Sequence, residues 1–314
     1  MDLVIKPTFS CNFRCSFCSS NRKTKSLLSV EQIEQVFKSN TINNLIVNGG
    51  DPLLMPPSFY YDLKKMVDKY NPACSISLTT NLWDWYKNPD KWTSVIKECN
   101  LGICTSFQYG SGRIMPNGKP LDVKTFLNIF NRFKDTFNYQ LEFISVLTDE
   151  NEQFALDNVL LARDLKTFCK LNGAFQSGRQ GYLYDRTKLF QIYLRLFETG
   201  LYKYERNCLN LINFFKKQNT ICPLSNQKCF KTISCLSASG NQTNCPALED
   251  DDILDSTKYK FFKKECLVCD YFQICNGCMK QVRDLLNDKN GQLRNCLPLK
   301  DTLDKIKSFC LTIP

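Results

Sequence analysis

Cys11, Cys15 and Cys18 stand as Cys-x-x-x-Cys-x-Phe-Cys, directly after the apolar stretch Leu3-Val4-Ile5. Three thiolates in one short loop can ligate three irons of a 4Fe-4S cluster and leave the fourth iron open, which makes this spacing a place for redox chemistry on a bound molecule. Chance has to be weighed in a chain with 18 cysteines among 314 residues, but it would supply only about 0.06 triplets of this spacing.

A second pattern lies in Asn48-Gly49-Gly50-Asp51-Pro52, after the short apolar run Leu45-Ile46-Val47. Adjacent glycines allow backbone to come close to a bound molecule where side chains would block it, although most such pairs are only turns. The elements that would position both patterns alternate in type. Ser29-x-x-Gln32 reads as a capping box ahead of Val30, Ile33, Val36 and Phe37, an apolar helical face. Helices are predicted near 58–70, 90–97, 121–134 (opened by Asp122), 152–170 and 186–198. Strands are predicted at 45–47, 75–79, 101–107, 139–147 and 173–177. With the strand before Cys11 these make six strand-helix units, the pattern of a parallel sheet with crossover helices. In such sheets chemistry collects at the carboxyl ends of the strands, and Cys11 and Gly49 both follow strands.

On these residues the chain resembles the radical S-adenosylmethionine (SAM) enzymes. Cys11, Cys15, Phe17 and Cys18 match the family's cluster motif, and Gly49, Gly50, Asp51 and Pro52 match its Gly-Gly-Glu-Pro with Asp for Glu. The resemblance implies an α/β fold, a partial (β/α)6 TIM-like barrel, with SAM chelating the open iron. Further strand-end segments are similar to the family's SAM contacts: Thr80-Asn81 with Leu82 in place of Gly, Ser106, Asn151 in Val146-Leu147-Thr148-Asp149-Glu150-Asn151, and Ser177-Gly178-Arg179. Each reads equally well as ordinary turn chemistry.

From about residue 206 cysteines crowd and regular patterns thin, so the expected division is a core at 1–205 and a Cys-rich unit at 206–314. Cys229, Gly240 and Cys245, then Cys266-x2-Cys269-x5-Cys275-x2-Cys278 and Cys296, resemble the SPASM extension of radical SAM enzymes that act on peptides. The last pair is usually separated by three residues rather than two. That resemblance implies two auxiliary 4Fe-4S clusters, one on Cys222, Cys229, Cys245 and Cys278, the other on Cys266, Cys269, Cys275 and Cys296. Cys235 is the alternative to Cys222, although Thr232 to Cys245 reads as a hairpin around Gly240. Cys-x2-Cys pairs also suit zinc, so a zinc-binding nucleic-acid or scaffold protein is a competing class. Of the remaining cysteines, Cys104 is a candidate hydrogen-atom donor if its strand turns it inward; the others read as small buried hydrophobes.

Composition narrows the classes. An apolar share of 43% suits a protein with a large core, and no apolar run reaches the ~18 residues of a membrane span. No basic start with a long apolar region opens the chain, so a cytoplasmic location is expected, where thiols bind metal rather than pair as disulfides. With no histidine, His-based catalysis is excluded. The net charge of +10 is spread evenly, 24 basic against 19 acidic residues in 1–200 and 17 against 12 in 201–314, so a nucleic-acid partner is not indicated.

The resemblance then implies reductive cleavage of SAM to a 5'-deoxyadenosyl radical, with flavodoxin or ferredoxin as electron donor. The expected substrate is a peptide or protein side chain, changed by crosslinking, thioether formation, oxidation or epimerisation. A small molecule or modified nucleotide is the alternative. With ten residues ahead of Cys11, no amino-terminal peptide-recognition unit is expected, so a separate protein would recruit a peptide.

Overall fold

The structure is a computed structural model. It describes residues 1–18, 20, 25–175, 183–217, 232–243, 268–271, 274 and 296–313, without the side chains of 296–298. Six strands run in chain order: β1 (Asp2–Lys6), β2 (Asn44–Val47), β3 (Ser75–Thr79), β4 (Leu101–Ser106), β5 (Glu142–Leu147) and β6 (Cys169–Gly173). Each pairs in parallel with the next. Between and after them come α1 (Val30–Ser39), α2 (Pro57–Tyr70), α3 (Trp83–Lys87), α4 (Pro89–Glu98), α5 (Val123–Phe137), α6 (Ala155–Asp164), α7 (Arg186–Glu198) and α8 (Arg206–Phe215). Repeated parallel strand and crossover helix is the α/β arrangement the alternating pattern implied.

Local chemistry sets the helix starts. Gln32 N donates to Ser29 Oγ and Ser29 N donates to Gln32 Oε1, the reciprocal cap that opens α1. Asp122 Oδ1 accepts from Thr125 N at 2.7 Å and opens α5, whose buried stripe is Phe126, Ile129, Phe130 and Phe133. Phe126 stacks on Phe107 with centroids 4.4 Å apart and meets Phe143 edge-on at 5.4 Å. Such ring pairs contribute about 0.5–1.5 kcal/mol each beyond burial, and they fix α5 against β4 and β5.

Strand alternation separates two faces. Leu3 and Ile5, Leu45 and Val47, Ile76 and Leu78, Ile103, Phe143 and Leu171 are buried under the helices. Ile46, Ser77, Ser106, Ile144, Val146 and Asn172 point the other way and are only partly covered. The structure starts β6 at Cys169, four residues before the expected strand. The predicted 152–170 helix stops at Asp164 because Lys166 takes a positive φ of 56° and Thr167 Oγ1 donates to Leu141 O at 2.6 Å. Apolar residues up to Leu165 had carried the helical pattern too far.

Residues beyond 205 join the same sheet. β7 (Ile233–Ser237) pairs in parallel with β1, and β8 (Gln242–Thr243) folds back on β7 as the expected hairpin around Gly240, giving the order β6-β5-β4-β3-β2-β1-β7-β8. α9 (Cys296–Thr312) packs on α7 and α8, and buried Arg186 of α7 donates to Ile274 O. Among the described residues no helix is long and apolar enough to cross a membrane.

Candidate active site

Cys11, Cys15 and Cys18 lie in the loop after β1, and all three line a cavity of about 350 Å³ at the carboxyl ends of the strands. Loops following β1, β2 and β3, the ends of β4 and β5, and the end of β6 all reach this one space, so the sheet curls around it. The loop is shaped by its own bonds: Phe13 N donates to Cys11 Sγ at 3.4 Å and Cys18 N donates to Cys15 O at 3.3 Å. Asn81 Nδ2 lies 3.9 Å from Cys11 Sγ and 2.7 Å from Asn12 Oδ1, tying the end of β3 to the first cysteine.

The glycine pair lies beside this loop. Gly50 N donates to Thr8 O at 2.9 Å and Asp51 N donates to Ser10 O at 2.8 Å, extending the pairing of β1 and β2 up to the cysteines. A Cβ on Gly50 would lie 2.0 Å from Ser10 O, and one on Gly49, whose φ is +120°, would lie 2.4 Å from Thr8 O. The close approach is therefore to the segment that carries the cysteines, a tertiary reason for glycine that the sequence did not suggest.

Asp51 is fully buried and takes three donors: Leu53 N at 3.0 Å, Asn81 N at 3.0 Å and Thr80 Oγ1 at 2.9 Å. Burial nonetheless pushes its carboxyl up to about 6, the donors opposing that shift only in part. Pro52 starts a short 3-10 turn, and its carbonyl accepts from the buried Tyr60 hydroxyl at 2.6 Å. Leu82, which replaces the family's Gly, keeps the left-handed backbone at φ 60° while its side chain is wholly buried.

Ser106 lines the cavity, but Asn151 does not; its side chain closes the turn after β5, accepting from Thr148 N at 2.9 Å and donating to Val146 O at 2.9 Å. Cys104 shares the inner face of β4 with Ser106, yet it is not among the cavity residues, and burial pushes its thiol up to about 12. Ser177, Gly178 and Arg179 lie outside the described residues, as do Cys222, Cys229, Cys245, Cys266, Cys275 and Cys278. Cys269 is partly exposed, Cys296 begins α9, and Cys235 is buried on β7.

Arg113, which the sequence reading missed, stands 95% buried in the cavity wall. Its Nη1 donates to Ser106 Oγ and its Nη2 to Gln108 Oε1, both at 2.9 Å, and its guanidinium lies 5.2 Å from the centre of the Phe17 ring. Burial lowers its pKa, and the charges of Cys15, Cys11 and Cys18 pull it back up. The local signal for it was the turn Asn117-Gly118, which folds residues 113–121 into a hairpin.

The residues fit an iron–sulfur cluster with a ligand on its open corner. Three thiols, not four, line the cavity, and Arg113 Nε, Asn48 Oδ1 and Ser20 Oγ are buried polar atoms without a hydrogen-bond partner among the described residues. Among the described residues no three Cys, His, Asp or Glu converge tightly enough for one metal ion. A four-iron cage, whose corners stand apart, asks instead for thiols spread along a loop.

A stretch of 91 residues is 32% identical to a GTP 3',8-cyclase of Sulfurovum sp. (strain NBC37-1), covering 26% of this chain and 27% of the cyclase. The match thus spans about a quarter of that relative. Among solved structures, native anSMEcpe with bound AdoMet superposes with a TM-score of 0.70 over 99% of this chain and 100% of that one, at 17% identity. A tagged form of the same protein with bound AdoMet gives 0.69 over 100% and 98%, at 16% identity. At these identities the likeness is one of fold. The family model of the radical SAM superfamily matches residues 5–155, the span from β1 to the start of α6 that carries the three cysteines, the glycine pair and Arg113, so this part of the chain is similar to a radical SAM domain.

Proposed function

We propose that this protein is a radical SAM enzyme that removes a hydrogen atom from a peptide or protein side chain. The observation that carries the reading is the meeting of Cys11, Cys15, Cys18 and the buried Arg113 in one cavity at the strand ends. Cys11, Cys15 and Cys18 would hold three irons of a 4Fe-4S cluster. When bound, that cluster and SAM supply reductive carbon–sulfur cleavage and the 5'-deoxyadenosyl radical.

The chain's own residues bind and orient. The open donor at Arg113 Nε and the open acceptor at Asn48 Oδ1 suit a ligand with both a carboxylate and an ammonium group, as the methionyl end of SAM has. Ser106 is on the same wall, while Ile144 and Val146 from β5 give an apolar flank that keeps water from the reacting carbon. Asp51 lines the same cavity, and its carboxylate also locks the ends of β2 and β3 together so that Asn81 and the glycine loop keep their places.

The peptide class rests on the SPASM-like spacing from Cys222 to Cys296, which would add two auxiliary 4Fe-4S clusters. Flavodoxin or ferredoxin would donate electrons in the cytoplasm, and a separate protein would deliver the peptide. The identity with a GTP 3',8-cyclase favours a second reading in which the substrate is a nucleotide. Anoxic reconstitution with iron and sulfide, then SAM and dithionite, tests the first step: about twelve irons per chain and release of 5'-deoxyadenosine are expected. A colourless, zinc-loaded protein that leaves SAM intact would overturn it. Feeding candidate peptides and GTP separately, and asking which raises 5'-deoxyadenosine, decides between the substrates.

A further inference from the structure

Both ends of Arg113 are pinned. Its backbone is strapped to the cysteine loop, with Arg14 N donating to Ile114 O and Ser16 N to Gly112 O on either side of it, both at 2.8 Å. Its head is held by Ser106 and by Gln108, a residue of 0% exposure just past the end of β4. The backbone around Gln108 is fixed in turn: Phe107 N donates to Ile144 O at 3.1 Å, Ser145 Oγ to Phe107 O at 2.6 Å and Tyr109 N to Asn158 Oδ1 at 3.1 Å.

The surroundings of the Gln108 side chain set its chemistry. Arg113 Nη2, at 2.9 Å, and Val146 N, at 3.3 Å, both point at Oε1, and both can only donate, so that atom has to be the amide oxygen. Nε2 is then left buried with no acceptor among the described residues, an unmade bond in the cavity wall. A carboxylate of the same shape would carry no orphan donor and would meet the guanidinium as an ion pair. It would also cancel the charge of Arg113, and the pull of that residue on any further anion with it. We propose that Gln108 is a positioning residue that aims the Arg113 guanidinium through a neutral oxygen and so leaves its whole charge to the carboxylate of the bound ligand. This rests on the SAM reading above, in which Arg113 receives that carboxylate; Gln108 itself is not among the residues lining the cavity.

The test is equilibrium binding to the anoxically reconstituted full chain, its cluster oxidised, with two probes: SAM, and 5'-methylthioadenosine, which keeps the nucleoside and lacks the carboxylate. Gln108→Glu, nearly the same in shape, is expected to bind SAM about tenfold more weakly, the effect of cancelling one charge-assisted contact, and methylthioadenosine within about twofold of the wild type. SAM affinity unchanged in Gln108→Glu overturns the proposal, and so does an equal loss for both probes, which general damage to the wall would give. Where Gln108→Glu takes up no iron, Gln108→Met decides, because it stays neutral but cannot aim the guanidinium. Weaker binding of SAM alone then supports the proposal; unchanged SAM binding, equal loss of both probes, or iron loss here too assigns Gln108 to packing. A wild type that binds SAM no better than methylthioadenosine sinks the carboxylate assignment of Arg113 itself, a result distinct from these.

Discussion

Thr80 Oγ1 lies 2.9 and 3.1 Å from the two carboxylate oxygens of Asp51, joining the residue that ends the glycine loop to the residue that follows β3. The bond is wholly buried, and the carboxylate it holds is out of water and without a cation among the described residues. An acid whose folded pKa is about 6, against 3.8 as its ordinary value, binds more protons folded than unfolded. Its ionisation therefore lowers stability as pH climbs from about 4 to about 6, by up to about 3 kcal/mol. In Asp51→Asn that loss is absent, while one of three donors goes unpaired. The expected outcome is a urea midpoint that falls from pH 5 to pH 7 in the wild type more than in Asp51→Asn, measured anoxically. Parallel pH profiles for the two proteins would refute a titrating Asp51.

Gly50 and Gly118 give a matched pair of substitutions. Gly50→Ala puts a methyl 2.0 Å from the carbonyl of Ser10, backbone that cannot move without dragging Cys11. Loss of more than about 3 kcal/mol and of the cluster on Cys11, Cys15 and Cys18 is expected. At Gly118, φ is +79° and nothing lies within 4 Å of the new methyl, so Ala there costs only the left-handed strain of about 1 kcal/mol. Iron content and melting temperature of the two variants check this; equal iron loss from both would show that the approach to Ser10 does not matter.

The sequence carried the cysteine loop, the glycine pair and the caps at Ser29 and Asp122 because each is a local pattern of spacing and side-chain chemistry. It did not carry what depends on partners far along the chain. The role of Asp51 is set by Thr80 and Asn81, and that of Gly50 by Ser10, contacts that no periodicity encodes. Arg113 is a single cation in a loop, conspicuous only once Phe17 and Ser106 close on it. β7 reads as half of a hairpin, and its parallel register with β1, Asp2 opposite Ile233, spans more than two hundred residues of chain.

Leu82 holds a conformation that glycine adopts more easily, with φ at 60°, yet glycine is expected to be worse there. Relief of left-handed strain returns about 1 kcal/mol. Against it stand loss of a fully buried leucine side chain, about 2–3 kcal/mol with the cavity it leaves, and the greater freedom of glycine in the unfolded chain, about 0.5–1 kcal/mol. Burial wins. Leu82→Gly should be destabilised by about 2 kcal/mol in urea unfolding, and a variant as stable as the wild type would show that strain dominates.

Cys104 tests the division between the cavity and the strand beneath it. Its Sγ lies 3.6 Å from Thr105 O, its side chain shares a face with Ser106, and burial pushes the thiol up to about 12, so it stays protonated and poorly nucleophilic at neutral pH. Slow alkylation by iodoacetamide at pH 8 is therefore expected in the folded protein, read by mass spectrometry of the peptide that contains it. Because Cys104 is outside the cavity lining, Cys104→Ala should leave 5'-deoxyadenosine release within about twofold of the wild type. Should release persist while modified product disappears, the thiol would act on the substrate after hydrogen removal, which requires a path from β4 into the cavity that the folded chain would have to open.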